Sequence, residues 1–289
     1  LRQQLDLEDT GVIFWARNDY EKIGSDLDAA DNMYRDQQFD SALDQYKAVL
    51  ASLAKLKSRA PGELEKHTDS GDTALLEGDV ETALTSFTIA TSMDRESKDL
   101  QHKLARAETL REVQDLVRQG EVFERNGELD TALETFKTAK DLDGEWQPAK
   151  KGLSRIQRAI TQRNFQIAMS EGFREISSKN YDEARKGFSR AKKILPDSAE
   201  PEDGLQQVEQ SERNDIILDH QKNAQAHLVS ENWPGAIEEY EAALTIAESL
   251  EFALTGLTYA KSRLALQERL QEFLRDPTLL QSNEGLAEA

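Results

Sequence analysis

The sequence of 289 residues contains no cysteine, and only 7% of its residues are aromatic. The absence of cysteine excludes disulfides, thiolate metal sites and cysteine nucleophiles, and it is compatible with either a reducing or an oxidising compartment. No apolar run approaches the ~18 residues that a membrane span needs. The run Val12-Ile13-Phe14-Trp15-Ala16 is also too short for the hydrophobic region of a signal peptide. We therefore expect no direct membrane contact from this sequence.

Basic residues are few relative to acidic ones: 36 Lys and Arg stand against 55 Asp and Glu, which gives a net charge of -19. Nucleic acid is bound by neutralising its phosphates with Lys and Arg, so we expect no nucleic-acid partner, whereas a basic partner is compatible. Charged residues make up 31% of the chain and hydrophobic ones only 38%. This balance indicates an extended, mostly helical protein whose surface area is large relative to its hydrophobic core.

One four-residue pattern recurs five times along the chain. A bulky residue is followed by Ala three residues later, an aromatic residue four after that, and a small residue three further on. Steps of three and four place these residues on one helical face. The five copies are Phe39-Ala42-Tyr46-Val49, Val80-Ala83-Phe87-Ala90, Leu129-Ala132-Phe136-Ala139, Tyr181-Ala184-Phe188-Ala191 and Trp233-Ala236-Tyr240-Ala243. Small residues also lie twelve positions before each shared alanine, as two tightly crossing helices require: Ala30, Gly71, Gly120, Gly172 and Ala224.

This pattern resembles the tetratricopeptide repeat (TPR) family, whose units have a small residue, an alanine, an aromatic residue and a second alanine at these spacings. Val49 is the only departure, and the resemblance covers roughly residues 23 to 260. It implies an all-α, TPR-like α-solenoid of about five helix-hairpin units. It also implies a non-enzymatic scaffold that binds a partner segment in a concave groove. The alternative function is a structural spacer or self-association module.

The repeat length departs from the family. The shared alanines at 42, 83, 132, 184 and 236 are separated by 41, 49, 52 and 52 residues, against ~34 in the family. We predict elongated first helices at about 95–126, 145–178 and 198–230; the alternative is a break near 162–164 and 211–214 that gives three helices per unit. Leu104, Leu153, Leu205 and Leu257 recur in phase with the repeat, which predicts one row of contacts.

The domain organisation predicted from these signals has three parts. Residues 1–22 form an N-terminal helical cap or linker, 23–260 the superhelical array, and 261–289 a C-terminal capping helix. The segment Arg59-Ala60-Pro61-Gly62 is predicted to be a flexible joint between units one and two, and Asp276-Pro277 to end the last long helix.

The chain starts at Leu1 rather than Met, which indicates an excised piece or a processed product. Its general arrangement is similar to that of bacterial TPR modules tethered to the inner membrane. That similarity implies a soluble fragment, cytoplasmic or periplasmic, with an N-terminal anchor outside this sequence.

Catalytic motifs are missing, and we predict no enzyme activity, no cofactor and no metal site. His220 and His227 are separated by about 10 Å along a helix, too far to share one metal ion. The segment from Asp141 to Gly144 is similar to the start of a calcium loop, yet Gly152 stands where that loop needs Glu, so we predict a turn. The one dense basic run is interpreted as a solvated helix end rather than a site for an acidic partner: Arg185, Lys186, Arg190, Lys192 and Lys193.

The candidate groove follows from the TPR resemblance, because in that family four positions of the first helix commonly meet the ligand. In units one to three these positions carry Asp28, Asp31, Glu65, Asp69, Asp72 and Glu121, with Arg118. In units four and five they carry Gln166, Met169, Phe173, Gln221 and Gln225, with Lys222. We expect an extended protein or peptide ligand with Lys or Arg at one end and an apolar anchor at the other. An acidic chain places carboxylates on every exposed surface. The alternative interpretation is therefore that these carboxylates have no specific ligand.

Overall fold

The computed structural model describes residues 2–276, and the side chains of residues 5–276; twelve helices and no strand occur in this range. The helices are α1 (Arg2–Asp9), α2 (Val12–Trp15), α3 (Arg17–Arg35), α4 (Phe39–Glu77), α5 (Val80–Met93), α6 (Lys98–Arg125), α7 (Leu129–Leu142), α8 (Gln147–Ser177), α9 (Tyr181–Ile194), α10 (Glu200–Val229), α11 (Trp233–Ile246) and α12 (Glu251–Arg275). Long and short helices alternate from α4 onward. The predicted all-α architecture of helix hairpins with elongated first helices is confirmed.

The chain divides into two compact units, Leu1–Ile160 and Thr161–Ala289, and the division falls inside α8. The three-part division predicted from the sequence stays a prediction. Its boundaries at 22/23 and 260/261 lie within α3 and α12 respectively. Residues 277–289 of the predicted capping helix lie outside the described residues, whereas α12 ends at Arg275, just before Asp276-Pro277, as predicted.

Each hairpin turn contains one left-handed residue, two positions before the short helix begins. These residues are Gln37, Gly78, Gly127, Lys179 and Glu231, with φ between 55° and 80°. Left-handed backbone is easy for glycine and costs an ordinary L-residue about 1–2 kcal/mol. Three of the five turns therefore hold a strained residue, which indicates that the packing of the two helices, rather than the turn residue itself, closes these hairpins.

The shared aromatic residue is buried between two helices in the later repeats. Phe136 is fully buried, and a Cβ atom added at Gly120 or at Gly152 would lie 2.9 Å or 2.2 Å from its ring. Gly172 and Gly204 hold Phe188 in the same way, with corresponding distances of 2.7 Å and 2.5 Å. The first glycine of each pair belongs to the same hairpin and the second to the following long helix. The ring thus packs against backbone on both sides, and this explains the small residues that lie twelve positions before the shared alanines.

The extra residues of the long units extend one helix rather than adding a third. The predicted alternative breaks near 162–164 and 211–214 lie inside α8 and α10, which run uninterrupted for 31 and 30 residues. Pro148 and Pro201 stand in the first turns of these helices, where the missing proline N–H has no helical partner to lose. The elongated helices were therefore predicted correctly.

The predicted joint at residues 59–62 is wrong, because Pro61 lies inside α4, a continuous helix of 39 residues. Pro61 and Gly62 are exposed, so water can bind the carbonyl that the proline leaves without a helical N–H. Leu53 and Leu56 are buried before the proline and Leu64 packs against a core after it. Burial on both sides at helical spacing offsets the cost of a proline in a helix interior.

The predicted single row of leucines is also corrected. Leu104 and Leu153 pack in one cluster, whereas Leu205 and Leu257 belong to two separate buried clusters of the second unit. The physical reason is that Gly152, Gly204 and Gly256, which directly precede three of the leucines, each lie against the aromatic ring of a different hairpin. Each leucine therefore completes the core of one hairpin instead of contacting the next leucine.

Candidate partner-binding surfaces

The acidic candidate residues of the second repeat share one face of α4. Glu65, Asp69 and Asp72 are spaced by four and three residues, which places them within one stripe of the helix. Glu65 and Asp69 are exposed, and neither is in an ion pair within residues 5–276. Asp72 is half-buried, and its carboxylate binds the Lys103 ammonium of α6 at 2.9 Å. Two of the three carboxylates are therefore accessible to a ligand.

The two candidates on α3 also differ from each other. Asp28 is exposed, whereas the Asp31 carboxylate accepts a hydrogen bond of 2.5 Å from the Tyr46 hydroxyl. This hydrogen bond raises the pKa of Tyr46 above its usual value. Asp31 thus contributes to the packing of the first hairpin, and only Asp28 faces solvent without such a partner in the described structure.

A polar cleft lies beside the acidic stripe, between α4 and α5. Asp69, Glu77 and Asp79 line it, together with Ser70, Thr73, Ala74 and Thr82. Asp79 is the N-cap of α5, and hydrogen bonds from the Thr82 hydroxyl and backbone lower the pKa of its carboxyl. The cleft therefore presents negative charge at neutral pH, which suits a cationic side chain better than an apolar one.

In the third repeat Glu121 is exposed, while the Arg118 guanidinium is paired with Asp115 one turn earlier on α6. The only cation that the sequence places among the acidic groove positions is thus already bound to a carboxylate on its own helix.

The candidates of the second unit show one correction. Met169 is 8% exposed and belongs to the core around Phe188, so it cannot meet a ligand. The reason is the helical register: Met169 lies three residues before Gly172, on the face that α8 presents to α9. Phe173 is 42% exposed and packs edge-on against Phe188 at 5.0 Å between ring centroids. Gln166, Lys222 and Gln225 are exposed, and Gln221 is half-buried.

The basic run on α9 is largely neutralised by carboxylates. Four of its five cations form ion pairs: Arg185 with Asp182 and Glu212, Lys186 with Glu183, Arg190 with Glu171, and Lys192 with Glu202. Three of these carboxylates belong to the neighbouring helices α8 and α10. These pairs connect α9 to its neighbours, so the run is mainly part of the packing between helices.

Two groups predicted to be structural have polar partners. His220 Nδ1 lies 2.7 Å from a carboxylate oxygen of Glu239, and His227 Nδ1 lies 3.0 Å from the Asn232 amide.

In the segment similar to a calcium loop, Asp143 is buried and accepts two hydrogen bonds of 3.1 Å from Arg106 and one from the Glu145 amide. Asp143 therefore organises the turn before α8, together with Arg106. The sequence does not predict this role of Arg106.

The sequence also gave no sign of an exposed apolar stripe on α4. Phe39, Leu43 and Leu50 are 57%, 53% and 52% exposed. The bulky residue Phe39 belongs to the pattern shared by all five repeats, whereas Leu43 and Leu50 correspond to Arg185 and Lys192 in the fourth repeat. Pro61 indicated a turn after the first short helix, but the helix continues through it.

No group of three His, Cys, Asp or Glu side chains in the described part of the chain could hold a metal ion. No helix within residues 2–276 is both long and apolar enough to cross a membrane.

The comparisons with known proteins add little. No protein-family model matches the chain, and no curated protein matches it. Among solved structures, the chain is similar to the crystal structure of the P58(IPK) TPR domain, with 16% sequence identity over 85% of this chain and 80% of that one. The TM-score is 0.19, so this likeness carries no argument about geometry or function. The predicted bacterial origin, compartment and N-terminal anchor stay predictions. The described residues themselves show an all-α fold of TPR-like helix hairpins.

Proposed function

We propose that this protein is a non-enzymatic interaction scaffold that binds an extended, basic segment of a partner protein along the first helices of its hairpins. The observation that supports this most is the pair of exposed carboxylates Glu65 and Asp69 beside the acidic cleft between α4 and α5. The proposal assigns no catalytic step and no cofactor to the chain.

The energetic expectation is modest, because these carboxylates are exposed. An exposed ion pair contributes about 0.2–1 kcal/mol and is screened by salt. Such charges increase the association rate and the specificity more than the final affinity. Binding that depends on them must therefore weaken when the salt concentration rises.

The test is a titration of fluorescently labelled Lys- and Arg-containing peptides at low and physiological salt. We expect Glu65→Gln combined with Asp69→Asn to weaken binding at low salt and to reduce the salt dependence. The matched control is Glu96→Gln with Glu108→Gln, which removes the same charge from exposed positions outside the groove. Equal affinity of the wild type and both variants at both salt concentrations would disprove the acidic contact.

The apolar anchor of the ligand is proposed to contact Phe173 in the second unit. Phe173 is partly exposed, and Gln166 lies on the same helix as an exposed hydrogen-bonding group. Gln221 and Gln225 on α10 are further candidates. We expect Phe173→Ala to weaken binding of peptides with an apolar residue and to leave purely basic peptides unchanged. A loss of both kinds of binding would indicate damage to the core instead, since Phe173 also contacts Phe188.

A second candidate function, self-association, is favoured by the exposed leucines Leu266, Leu270 and Leu274 on α12. Their spacing of four places them on one helical stripe. Sedimentation over a wide concentration range separates the two functions. A monomer at all concentrations supports the scaffold, whereas an oligomer that Leu270→Gln dissociates supports the self-association module.

A further inference from the structure

The exposed stripe on the first half of α4 is formed by three large apolar residues at helical spacing. Phe39, Leu43 and Leu50 lie within a 40° sector of the helix at 100° per residue, and each is more than half exposed. The ring of Tyr34 on α3 packs edge-on against Phe39 at 5.4 Å, and it is exposed as well. Together these four side chains, the α4 stripe, make an exposed apolar surface on the first unit.

In the fourth and fifth repeats, the equivalent positions contact the long helix that follows, although Lys192 is itself exposed. The repeat register equates Phe39, Leu43 and Leu50 with Tyr181, Arg185 and Lys192 of α9. All three contact α10: the Tyr181 hydroxyl donates to Asp215 at 2.6 Å, Arg185 pairs with Glu212, and Lys192 pairs with Glu202. In the fifth repeat Trp233, which corresponds to Phe39, packs against Tyr259 of the following helix α12 at 6.2 Å.

The α4 stripe lacks this cover because the helix after the first repeat is not a separate element. Residues 39–52 continue without a turn into the first helix of the second repeat, so no separate helix directly follows them to fold back, as far as residues 2–276 show. The comparison with the other repeats therefore identifies the shape of partner that fits this surface. At the equivalent positions of the fourth and fifth repeats, such a surface contacts the first half of a long α-helix.

The charge around the α4 stripe indicates which kind of helix fits. Residues 19–50 carry eight Asp or Glu and three Lys or Arg. Asp36, Asp40 and Asp44 are exposed next to the stripe. A helix with Lys or Arg beside its apolar residues complements this surface, and an acidic helix is repelled.

We propose that the α4 stripe is a docking surface for a basic amphipathic α-helix of another protein, which takes the place that the following long helix takes in the other repeats. This surface is distinct from the groove along the first helices. The partner helix contacts the stripe through its own apolar side chains at i, i+3, i+4 and i+7. Its cations lie at the edge toward Asp40 and Asp44.

The chain itself supplies the probe and its control. Residues 147–160, the first half of α8, carry four Lys or Arg and no Asp or Glu, and Ala149, Leu153 and Ile156 of this segment are buried. Residues 200–212, the first half of α10, have the same apolar register but five Asp or Glu and no Lys or Arg. Labelled peptides of these two segments therefore differ in charge, and also at their C-terminal ends, where Ile160 of the basic peptide corresponds to Glu212 of the acidic one.

The experiment measures binding of both peptides to the whole chain by fluorescence anisotropy. We expect saturable binding of the 147–160 peptide and at least about tenfold weaker binding of the 200–212 peptide. Leu43→Gln with Leu50→Gln should weaken binding of the basic peptide by about tenfold or more, since central apolar contacts dominate such interfaces. Asp40→Asn with Asp44→Asn should cause a smaller, salt-dependent loss. Leu76→Gln is the matched control, because Leu76 is an exposed leucine near the other end of the same helix.

Both glutamine variants replace exposed residues, and circular dichroism should show unchanged helix content. The proposal is overturned if the basic peptide fails to bind, if it binds no better than the acidic one, or if the Leu43 and Leu50 substitutions have no more effect than Leu76→Gln. Self-association of the wild type that the Leu43 and Leu50 substitutions abolish would assign the surface to a second copy, and it would also overturn the proposed occupant.

Discussion

The first and the third repeat contain the same four-residue pattern, yet their aromatic residues have different surroundings. Phe136 in the third repeat is fully buried, because Gly120 of its own hairpin and Gly152 of the following helix lie against its two sides. Tyr46 in the first repeat is only half-buried, and its hydroxyl binds Asp31. The comparison shows that a hairpin provides half of the pocket for its ring and that the following helix provides the other half.

The largest expected effect comes from placing a charge on the core-facing side of the long helices α8 and α10. Leu153→Asp and Leu205→Asp should each destabilise the protein by several kcal/mol, because a carboxylate there loses water without gaining a partner. Leu43→Asp, on the exposed α4 stripe, should change stability by less than about 0.5 kcal/mol. Chemical denaturation of the three variants measures the difference. Similar losses for Leu43 and Leu153 would mean that the first repeat is covered in solution.

A methyl group at the second glycine tests the two-sided pocket directly. Gly152→Ala should cost about 1–3 kcal/mol, since its Cβ atom would lie 2.2 Å from the Phe136 ring. Gly62→Ala, at an exposed α4 position where a Cβ atom meets nothing within 4 Å, should stabilise by about 0.5–1 kcal/mol through its better helix propensity. Thermal unfolding compares the two. A stabilising Gly152→Ala would show that the long helix can shift away from the ring.

The hairpin turns provide a smaller test, with opposite signs in two repeats. Gly127→Ala should destabilise by about 1 kcal/mol, because alanine must adopt the left-handed backbone at φ 79°. Glu231→Gly should stabilise by up to about 1 kcal/mol, because Glu231 already holds that conformation at φ 55°. The midpoints of denaturant unfolding should move in opposite directions. Movement in the same direction would indicate that the side chain of Glu231 has a role beyond the turn.

The smallest effect concerns the pH dependence of the contact between α9 and α10. The hydrogen bond to Asp215 raises the pKa of Tyr181 to about 12. Because this folded-state pKa lies above the unfolded value of 10.0, the contact contributes stability below pH 10, and the contribution is lost as the pH rises through about 12. Asp215→Asn should return the Tyr181 pKa toward 10.0 in a phenolate absorbance titration. Glu209→Gln, an exposed substitution on the same helix, should leave it unchanged.

The groove positions come from the TPR resemblance, and their exposure could be predicted only in part. Glu65 and Asp69 are exposed as expected. The sequence could not predict that Met169 and Asp31 differ from these exposed residues. A residue at a groove position can also pack in the core, as Met169 does, or bind a tyrosine of the neighbouring helix, as Asp31 does. Whether any of these residues binds a ligand is still a prediction.

The sequence by itself determined the hairpins, their long first helices and the pairing of rings with small residues. These features depend on spacing along one helix, and that spacing is a local property of the chain. Only the tertiary structure decided that Pro61 lies within a continuous helix and that Phe39, Leu43 and Leu50 remain exposed, whereas Tyr181, Arg185 and Trp233 of the later repeats contact the following long helix. The physical reason is that both outcomes depend on which neighbouring helix buries a given face. Leu53, Leu56 and Leu64 stabilise α4 through residues distant in sequence, whereas the α4 stripe stays exposed within the described part of the chain.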